Sequence, residues 1–414
     1  MMDAAVRRVV ITGMGVFASV GKDTESFFSS LISARSGIRS ITLFDPSPLS
    51  VKIAAEVPDY SPTECFPPKR LDLLDRFTQF ALLAAREAMK STGIEISQEE
   101  RPRFGVTMGS GMGGVSTFDS GYFSLYAKQA TRLHPFTIPK IMHNAPTSQI
   151  CMEFGAEGPA LATSTACSSS GHAIGQAYQM IKFGMADMML TGGADAPITY
   201  GMMRGWESVR VLATGNGDPS HACRPFSADR EGFVMGEGSG VLMLEELEHA
   251  KRRGAKIFAE LAGFGMSSDA NHITQPSISG PARAIRMALD DAGMNPQDVD
   301  YINAHGTGTR LNDVTETQVI KEVFGEDAKR VAISSTKSMH GHAMGATGAI
   351  ELVATVMAIG RGVVPPTASY TRPDPQCDLD YVPNQAREMP VRAALSNSFA
   401  FGGLNAVLLV RRFG

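Results

Sequence analysis

The sequence predicts a layered α/β fold made of two related halves, and three observations carry that reading. Short apolar runs of strand type alternate with stretches whose apolar residues recur at helical spacing. The apolar runs open into glycine-rich loops, as at Gly109-Ser-Gly-Met-Gly-Gly114 and His305-Gly-Thr-Gly-Thr309. The same succession is met twice, with a local echo between Gly171-His-Ala-Ile-Gly175 and Gly341-His-Ala-Met-Gly345. A chain of 414 residues exceeds the usual size of one domain, and an internal duplication divides it into halves of 1–250 and 251–414.

In the first half, Arg8 to Gly15 reads as a buried strand running into a Gly-Met-Gly turn. The G-x-G-x-x-G dinucleotide fingerprint is incomplete there, since position 18 is Ala. Residues 22–34 predict a helix, and 37–68 are irregular, broken by six prolines. Residues 72–92 predict a long helix with Leu74, Phe77, Phe80, Ala81 and Ala84 on its apolar face. Phe104 to Met108 is a second buried strand, and 115–157 a helical excursion whose His134 and His143 read as structural or exposed. A short buried strand then leads to Cys167, a helix follows it, and Asp187 to Thr191 forms a strand closed by Gly192-Gly-Ala-Asp195. The charged stretch Glu245 to Arg253 reads as a solvated helix face near the join.

The second half repeats the scheme. Ile257 to Gly265 predicts a strand into a Gly-x-Gly turn, Pro281 to Gly293 a helix, and Val299 to Ala304 and Val331 to Ser335 two more strands. A helix is expected over about 344–359, and a hairpin pairs 391–397 with 406–410 around the turn Ser398 to Asn405.

Composition narrows the function. Hydrophobic residues make up 43% and charged residues 19%, with a formal charge of −4, so no general attraction to nucleic acid or anionic membrane is expected. The five cysteines, an odd number without CxxC pairing, point to a reducing compartment and to no metal cluster. The first residues lack the apolar region of a secretory leader, and no uninterrupted apolar run of about 18 residues is present. A cytoplasmic protein is the expectation.

The chemistry centres on Cys167. It stands at a strand-to-helix corner, where free N–H groups and the helix dipole favour thiolate. His305 and His342 each follow a strand among glycines, and corners at the same ends of neighbouring strands face one crevice. Cys167, His305, Lys337 and His342 are therefore expected to meet. A cysteine with one histidine would suit a hydrolase or acyltransferase. Two imidazoles can hold a thioester carbonyl where enolate charge develops.

Four ordered motifs carry a family resemblance: Thr165-Ala-Cys-Ser-Ser-Ser170, Asn303-Ala-His-Gly-Thr-Gly-Thr309, Ser334-Ser-Thr-Lys-Ser-Met-His-Gly-His342 and Asn397-Ser-Phe-Ala-Phe-Gly-Gly403. With them, nearly the whole chain resembles the β-ketoacyl-acyl-carrier-protein synthases of the type II elongating class. The resemblance implies the thiolase fold, duplicated βαβαβαββ halves in a five-layer αβαβα arrangement with two mixed five-stranded sheets. It also implies decarboxylative condensation of an acyl chain with malonyl-acyl-carrier protein, in fatty-acid elongation or in a dedicated polyketide, polyene or signalling-lipid pathway.

Carried over by residue, Cys167 would accept the acyl chain, and its N–H with that of Phe401 would form the oxyanion hole. His305 and His342 would bind the malonyl thioester, with Lys337 paired to Glu351 behind them. Thr307 and Thr309 would hold the phosphopantetheine arm, Phe401 would gate the acyl pocket, and Met112 would line it. Lys69, Arg70 and Arg210 match docking positions for the acyl carrier protein. No metal or redox cofactor is implied, and the expected assembly is a homodimer, with a heterodimer as the alternative. Ala400, Leu404 and His340 replace the family's usual glycine, threonine and threonine.

Two rival readings are open to test. A thiolase would use a second cysteine near the C-terminus, whereas Cys377 lies in a Pro- and Asp-rich loop. A non-catalytic chain-length subunit would lack the active cysteine, and Cys167 is present.

Overall fold

A computed structural model describes residues 6–215 and 217–414. The reading of the first five residues as free of a leader lies outside them. Ten strands form the sheet: β1 (Val9–Ala18), β2 (Phe104–Gly109), β3 (Ala160–Thr163), β4 (Met188–Asp195), β5 (Gly238–Glu246), β6 (Ala259–Ser268), β7 (Tyr301–Asn303), β8 (Ala332–Ser334), β9 (Ala393–Ala400) and β10 (Leu404–Arg411). Their spatial order is β3-β2-β4-β5-β1-β6-β10-β9-β7-β8. Numbered from its own first strand, each half has the order 3-2-4-5-1, and the two halves meet through their first strands. The expected duplication is therefore written in the topology. The two sheets expected from the resemblance are hydrogen-bonded into one ladder, joined where Val9–Ile11 pairs antiparallel with Ala259–Leu261.

Five helices complete the layers: α1 (Arg76–Thr92), α2 (Ser169–Lys182), α3 (Ser279–Ala292), α4 (Arg310–Phe324) and α5 (Thr347–Arg361). The outer helices α1 and α3 lie on β1/β5 and on β6/β10, while α2 and α5 touch strands of both halves. This is the αβαβα stack. Its central helix explains one apolar segment: Met344–Arg361 is long and apolar enough to cross a membrane, yet it is 89% buried between the two halves of the sheet.

Several glycines expected to make turns instead lie inside strands, because a helix backbone passes directly over them. A Cβ at Gly15 would meet the Ala84 carbonyl oxygen at 2.0 Å, and one at Gly265 would meet that of Ala284 at 1.9 Å. Strands β1 and β6 thus run on to Ala18 and Ser268. Likewise Gly193 continues β4, where a Cβ would lie 2.6 Å from that of Ser170 in α2. The hairpin is also tighter than expected, with β9 and β10 pairing up to Ala400 and Leu404.

Two further expectations are corrected. Ala160, Leu161 and Ala162 in β3 are exposed, not buried, because β3 pairs only with β2 at the edge of the sheet. Glu245 is not on a solvated helix face: it is the penultimate residue of β5, without exposure, accepts from Thr12, His249 and Arg253, and is held down at about 2 against the cost of burial by these donors.

The close approaches yield a test of the fold. Gly15→Ala is expected to lower stability by about 1–3 kcal/mol through overpacking. Gly360→Ala, with nothing within 4 Å of the new methyl, should hold stability or raise it by roughly 0.5–1 kcal/mol. Urea denaturation midpoints of the two variants check both signs.

Candidate active site

Parallel pairing carries the chemistry to one side of the sheet. Strands β3, β2 and β4 are mutually parallel, as are β8, β7 and β9. Their C-terminal ends supply Cys167, the Gly109–Gly114 loop, Asp195, Lys337, His305 and Phe401. The corner at Cys167 is sharp: Ala166 has φ +51°, in the left-handed region that L-residues rarely occupy. Gly109 leaves room for this corner, since a Cβ there would lie 2.4 Å from the Ser170 nitrogen.

Cys167, His305 and His342 are buried, and the Cys167 Sγ and one ring nitrogen of each histidine all lie within 4.8 Å of one another. The two imidazoles meet edge to face with centroids 5.5 Å apart. His342 Nδ1 is 2.9 Å from Thr347 Oγ1, while its Nε2 is buried with no partner among the described residues. Burial and then the positive charge of Lys337 hold both imidazoles well below the ordinary histidine value, so they are neutral. Lys337 and Glu351 are fully buried and joined at 2.6 Å. Burial raises the Glu351 carboxyl to about 7, with Lys337 opposing.

The thiol departs from expectation. Burial pushes Cys167 up to about 11, outweighing the Lys337 charge and the N–H of Phe401, so the resting group is a thiol. The N–H groups of Phe401 and of Cys167 itself both favour the anion, so both bear on the sulfur to which a carbonyl carbon would be joined.

Cys167, His305 and His342 open on a cavity of about 630 Å³, whose walls include Trp206, Arg210, Phe233, Thr307, Thr309 and Phe401. The hydroxyls of Thr307 and Thr309 are 2.9 Å apart. Met112 is not part of this wall; it packs with a neighbouring cluster that includes Ile198, Met203 and Phe233, and its N–H donates to Asp195. His340 also lies outside the wall, with Nε2 2.9 Å from Thr336 Oγ1. Ala400 ends a strand and is absent from the left-handed positions of the turn, which Gly402 and Gly403 occupy at φ +85° and +71°. The resting turn therefore asks nothing of residue 400 that alanine cannot give.

Of the three cations expected at a docking face, Arg210 is exposed on the cavity rim. Lys69 and Arg70 lie away from it, and the Arg70 guanidinium is already paired with Glu153 at 3.0 Å, which removes it as a free cation.

Two buried carboxylates that sequence reasoning passed over hold the site. Asp195 accepts from Ser110 Oγ, Gly111 N, Met112 N and Gly345 N at 2.7–3.1 Å. Glu316 on α4 accepts from the backbone N–H groups of His305 and Gly306 at 2.8 and 2.7 Å and from Asn397. A carboxylate just after a glycine strand end, and one a helical turn beyond Asp313, were the available signals.

Thiol and imidazoles are donors that zinc accepts, but the adjacent Lys337 ammonium opposes a cation among them. Asn303 Oδ1, Asn397 Oδ1 and Glu351 Oε2 are buried without partners among the described residues, oxygens of the type a hard cation takes.

A titration checks the electrostatics. Neither His305 nor His342 should show a protonation midpoint near the ordinary 6.5 or so in ring-carbon NMR. Lys337→Met removes a positive neighbour, makes protonation easier, and should move both midpoints upward.

Comparison with known proteins follows the same lines. The family description "Beta-ketoacyl synthase, N-terminal domain" matches residues 6–250, and "Beta-ketoacyl synthase, C-terminal domain" matches residues 258–371. The chain is 44% identical over 409 residues to 3-oxoacyl-[acyl-carrier-protein] synthase 2 of Staphylococcus aureus (strain COL), covering 98% of this chain and 99% of that protein. It is 47% identical over 406 residues to Nodulation protein E of Rhizobium sp. (strain N33), with 98% and 99% covered. Among solved structures, the ishigamide ketosynthase/chain length factor superposes with TM-score 0.93 at 37% identity, over 99% of this chain and 100% of that one. A type II PKS acyl-carrier protein in complex with its ketosynthase bound to the hexaketide gives TM-score 0.91 at 34% identity, over 99% and 100%.

Proposed function

We propose, from the premise that this chain belongs to the β-ketoacyl synthase family, a division of labour among its residues in that family's reaction. The chain is a condensing acyltransferase of the thiolase fold. It joins an acyl chain to a malonyl unit with loss of carbon dioxide. The observation that carries the assignment of roles is the buried Cys167 thiol within 4.8 Å of two imidazoles.

In the first step Cys167 Sγ attacks an acyl thioester on an acyl carrier protein. The sulfur–carbonyl bond to Cys167 forms, the bond to the carrier's pantetheine sulfur breaks, and the cysteine proton ends on the departing sulfur. The N–H groups of Cys167 and Phe401 hold the oxyanion of the intermediate. In the second step the malonyl thioester binds with its carbonyl oxygen toward His305 and His342. With the Thr347 hydroxyl donating to Nδ1, His342 presents Nε2–H to that oxygen. Carbon dioxide leaves, and its bonding electrons become the enolate that the two imidazoles stabilise. The enolate carbon attacks the Cys167 thioester, and the cysteine thiolate is expelled as the β-ketoacyl product stays on the carrier.

Thr307 and Thr309 hold the amide-bearing arm, Phe401 gates the pocket, and burial together with the Lys337 ammonium keeps the imidazoles neutral. No resident cofactor enters these steps. Arg210 on the rim attracts the acidic carrier. The exposed edge strand β3 with Leu161, and the exposed aromatic stripe Phe118, Tyr122 and Tyr126, supply an unpaired strand edge and apolar surface for a second copy of the chain; a homodimer in the cytoplasm is the resulting reading. The same condensation in a dedicated pathway is a second reading, favoured by the likeness to Nodulation protein E and by Ala400 and Leu404 in the gate turn.

Intact-mass analysis with acyl-carrier substrates is expected to place one acyl group on Cys167. Labelling of another cysteine, with Cys167→Ala still condensing, would overturn the mechanism. His305→Ala and His342→Ala should each keep acyl transfer and lose condensation by about a hundredfold or more. Malonyl decarboxylation at the parent rate in either variant would remove that histidine from its role. Arg210→Glu should raise KM for carrier-bound substrate at low salt and less at high salt.

A further inference from the structure

Trp206 is the only tryptophan in the chain, and it occupies a singular place. Its ring lies between Phe401, with centroids 6.1 Å apart and a 37° tilt, and Phe233, at 5.4 Å and edge to face. Phe233 in turn meets the His342 ring at 5.4 Å. An unbroken aromatic row thus runs from the turn at Phe401 to the imidazole beside Cys167, and all four residues border the same cavity. The separations are those of favourable ring pairs.

The indole also carries an unmet requirement. Its Nε1–H is buried and has no hydrogen-bond partner among the described residues. A buried donor without an acceptor raises the free energy of the state that contains it. The edge-to-face contact with Phe233 replaces at most a fraction of an ordinary hydrogen bond. Around the turn, Gly402 has open space where a Cβ would stand, and both Gly402 and Gly403 occupy left-handed conformations. The Phe401 ring is therefore held mainly by what it rests against.

We propose that Trp206 is the seat of the Phe401 gate, and that its unsatisfied N–H keeps the closed gate from being too stable. The inference rests on the reading of Cys167 as acyl acceptor and Phe401 as gate. When Phe401 swings aside for an acyl chain, the indole edge gains access to water or to an oxygen of the incoming arm, and its N–H is satisfied. Opening is helped by a donor that closure leaves orphaned. Trp206 is a positioning residue in this account: it acts through Phe401 and takes part in no bond change.

The sign of the effect is unusual and can be tested. Trp206→Phe keeps an aromatic seat and deletes the orphan donor, so the closed gate becomes more stable. Single-turnover acylation of Cys167 by a long-chain acyl-carrier protein, followed by intact mass, should slow about tenfold, which corresponds to relief of one unsatisfied donor. Acylation by a two-carbon acyl-carrier protein, which needs less opening of the gate, should slow less than acylation by the long chain. In the parent protein, the emission of this sole tryptophan should shift to longer wavelength in step with acylation, as the N–H becomes hydrogen-bonded. Phe401→Leu, which removes the ring from the seat, should show the shifted emission before any substrate is added.

Acylation of Trp206→Phe at or above the parent rate would overturn the proposal, as would parent emission that does not change on full acylation. If the parent protein itself took no acyl group on Cys167, the functional reading would fall first. Thermal unfolding of Trp206→Phe at the parent midpoint keeps a slow rate from being misread as loss of folded protein, and the emission of Phe401→Leu tests the seat without altering Trp206.

Discussion

The site depends on a carboxylate that performs no chemistry. Asp195 gathers a hydroxyl and two N–H groups from the Ser110–Met112 loop in the first half of the chain and the N–H of Gly345 in the second. A fully buried anion is costly unless its oxygens are occupied, and burial here moves its pKa up to about 6 even with four donors in place. The cost of desolvation is offset only when the two halves are docked with their loops in register. Glu316 does the same for the His305 corner. Both carboxylates turn flexible glycine loops into fixed geometry.

Charge around the imidazoles follows from a second buried arrangement. Lys337 and Glu351 neutralise each other in the core, yet the ammonium still bears on both histidines and on the thiol. Its field disfavours imidazolium and favours thiolate, the two states a thioester-condensing centre requires. Desolvation works with the ammonium on the histidines and against it on the cysteine. For that reason the resting thiol remains protonated while the imidazoles are neutral.

Much of this was legible in the residue order. The alternation of apolar runs with helical spacing gave the α/β class, and the repeated Gly-His-Ala-x-Gly echo anticipated a duplication that the 3-2-4-5-1 order displays twice. Strand-to-helix corners placed Cys167, His305, Lys337 and His342 on one crevice because parallel strands deliver their ends to one side. Local chemistry misled where the cause was tertiary. Gly13-Met-Gly15 has the composition of a turn, and only the passage of α1 over β1 makes it strand. Strand β3 has the apolar composition of a core strand and lies on an edge. Asp195 and Glu316 were silent because their partners are backbone groups far away in sequence, and Arg70 looked free because Glu153 lies 83 residues on.

The join between the halves is narrow along the sheet, three residue pairs between β1 and β6, and the chemical groups are partitioned across it. The nucleophile belongs to one half, and both imidazoles and the lysine belong to the other. During synthesis the thiol-bearing half emerges first, without the groups that could turn a bound thioester into an enolate. An incomplete chain therefore lacks the means to form the new carbon–carbon bond, and competence for condensation arrives only with the final docking of its second half.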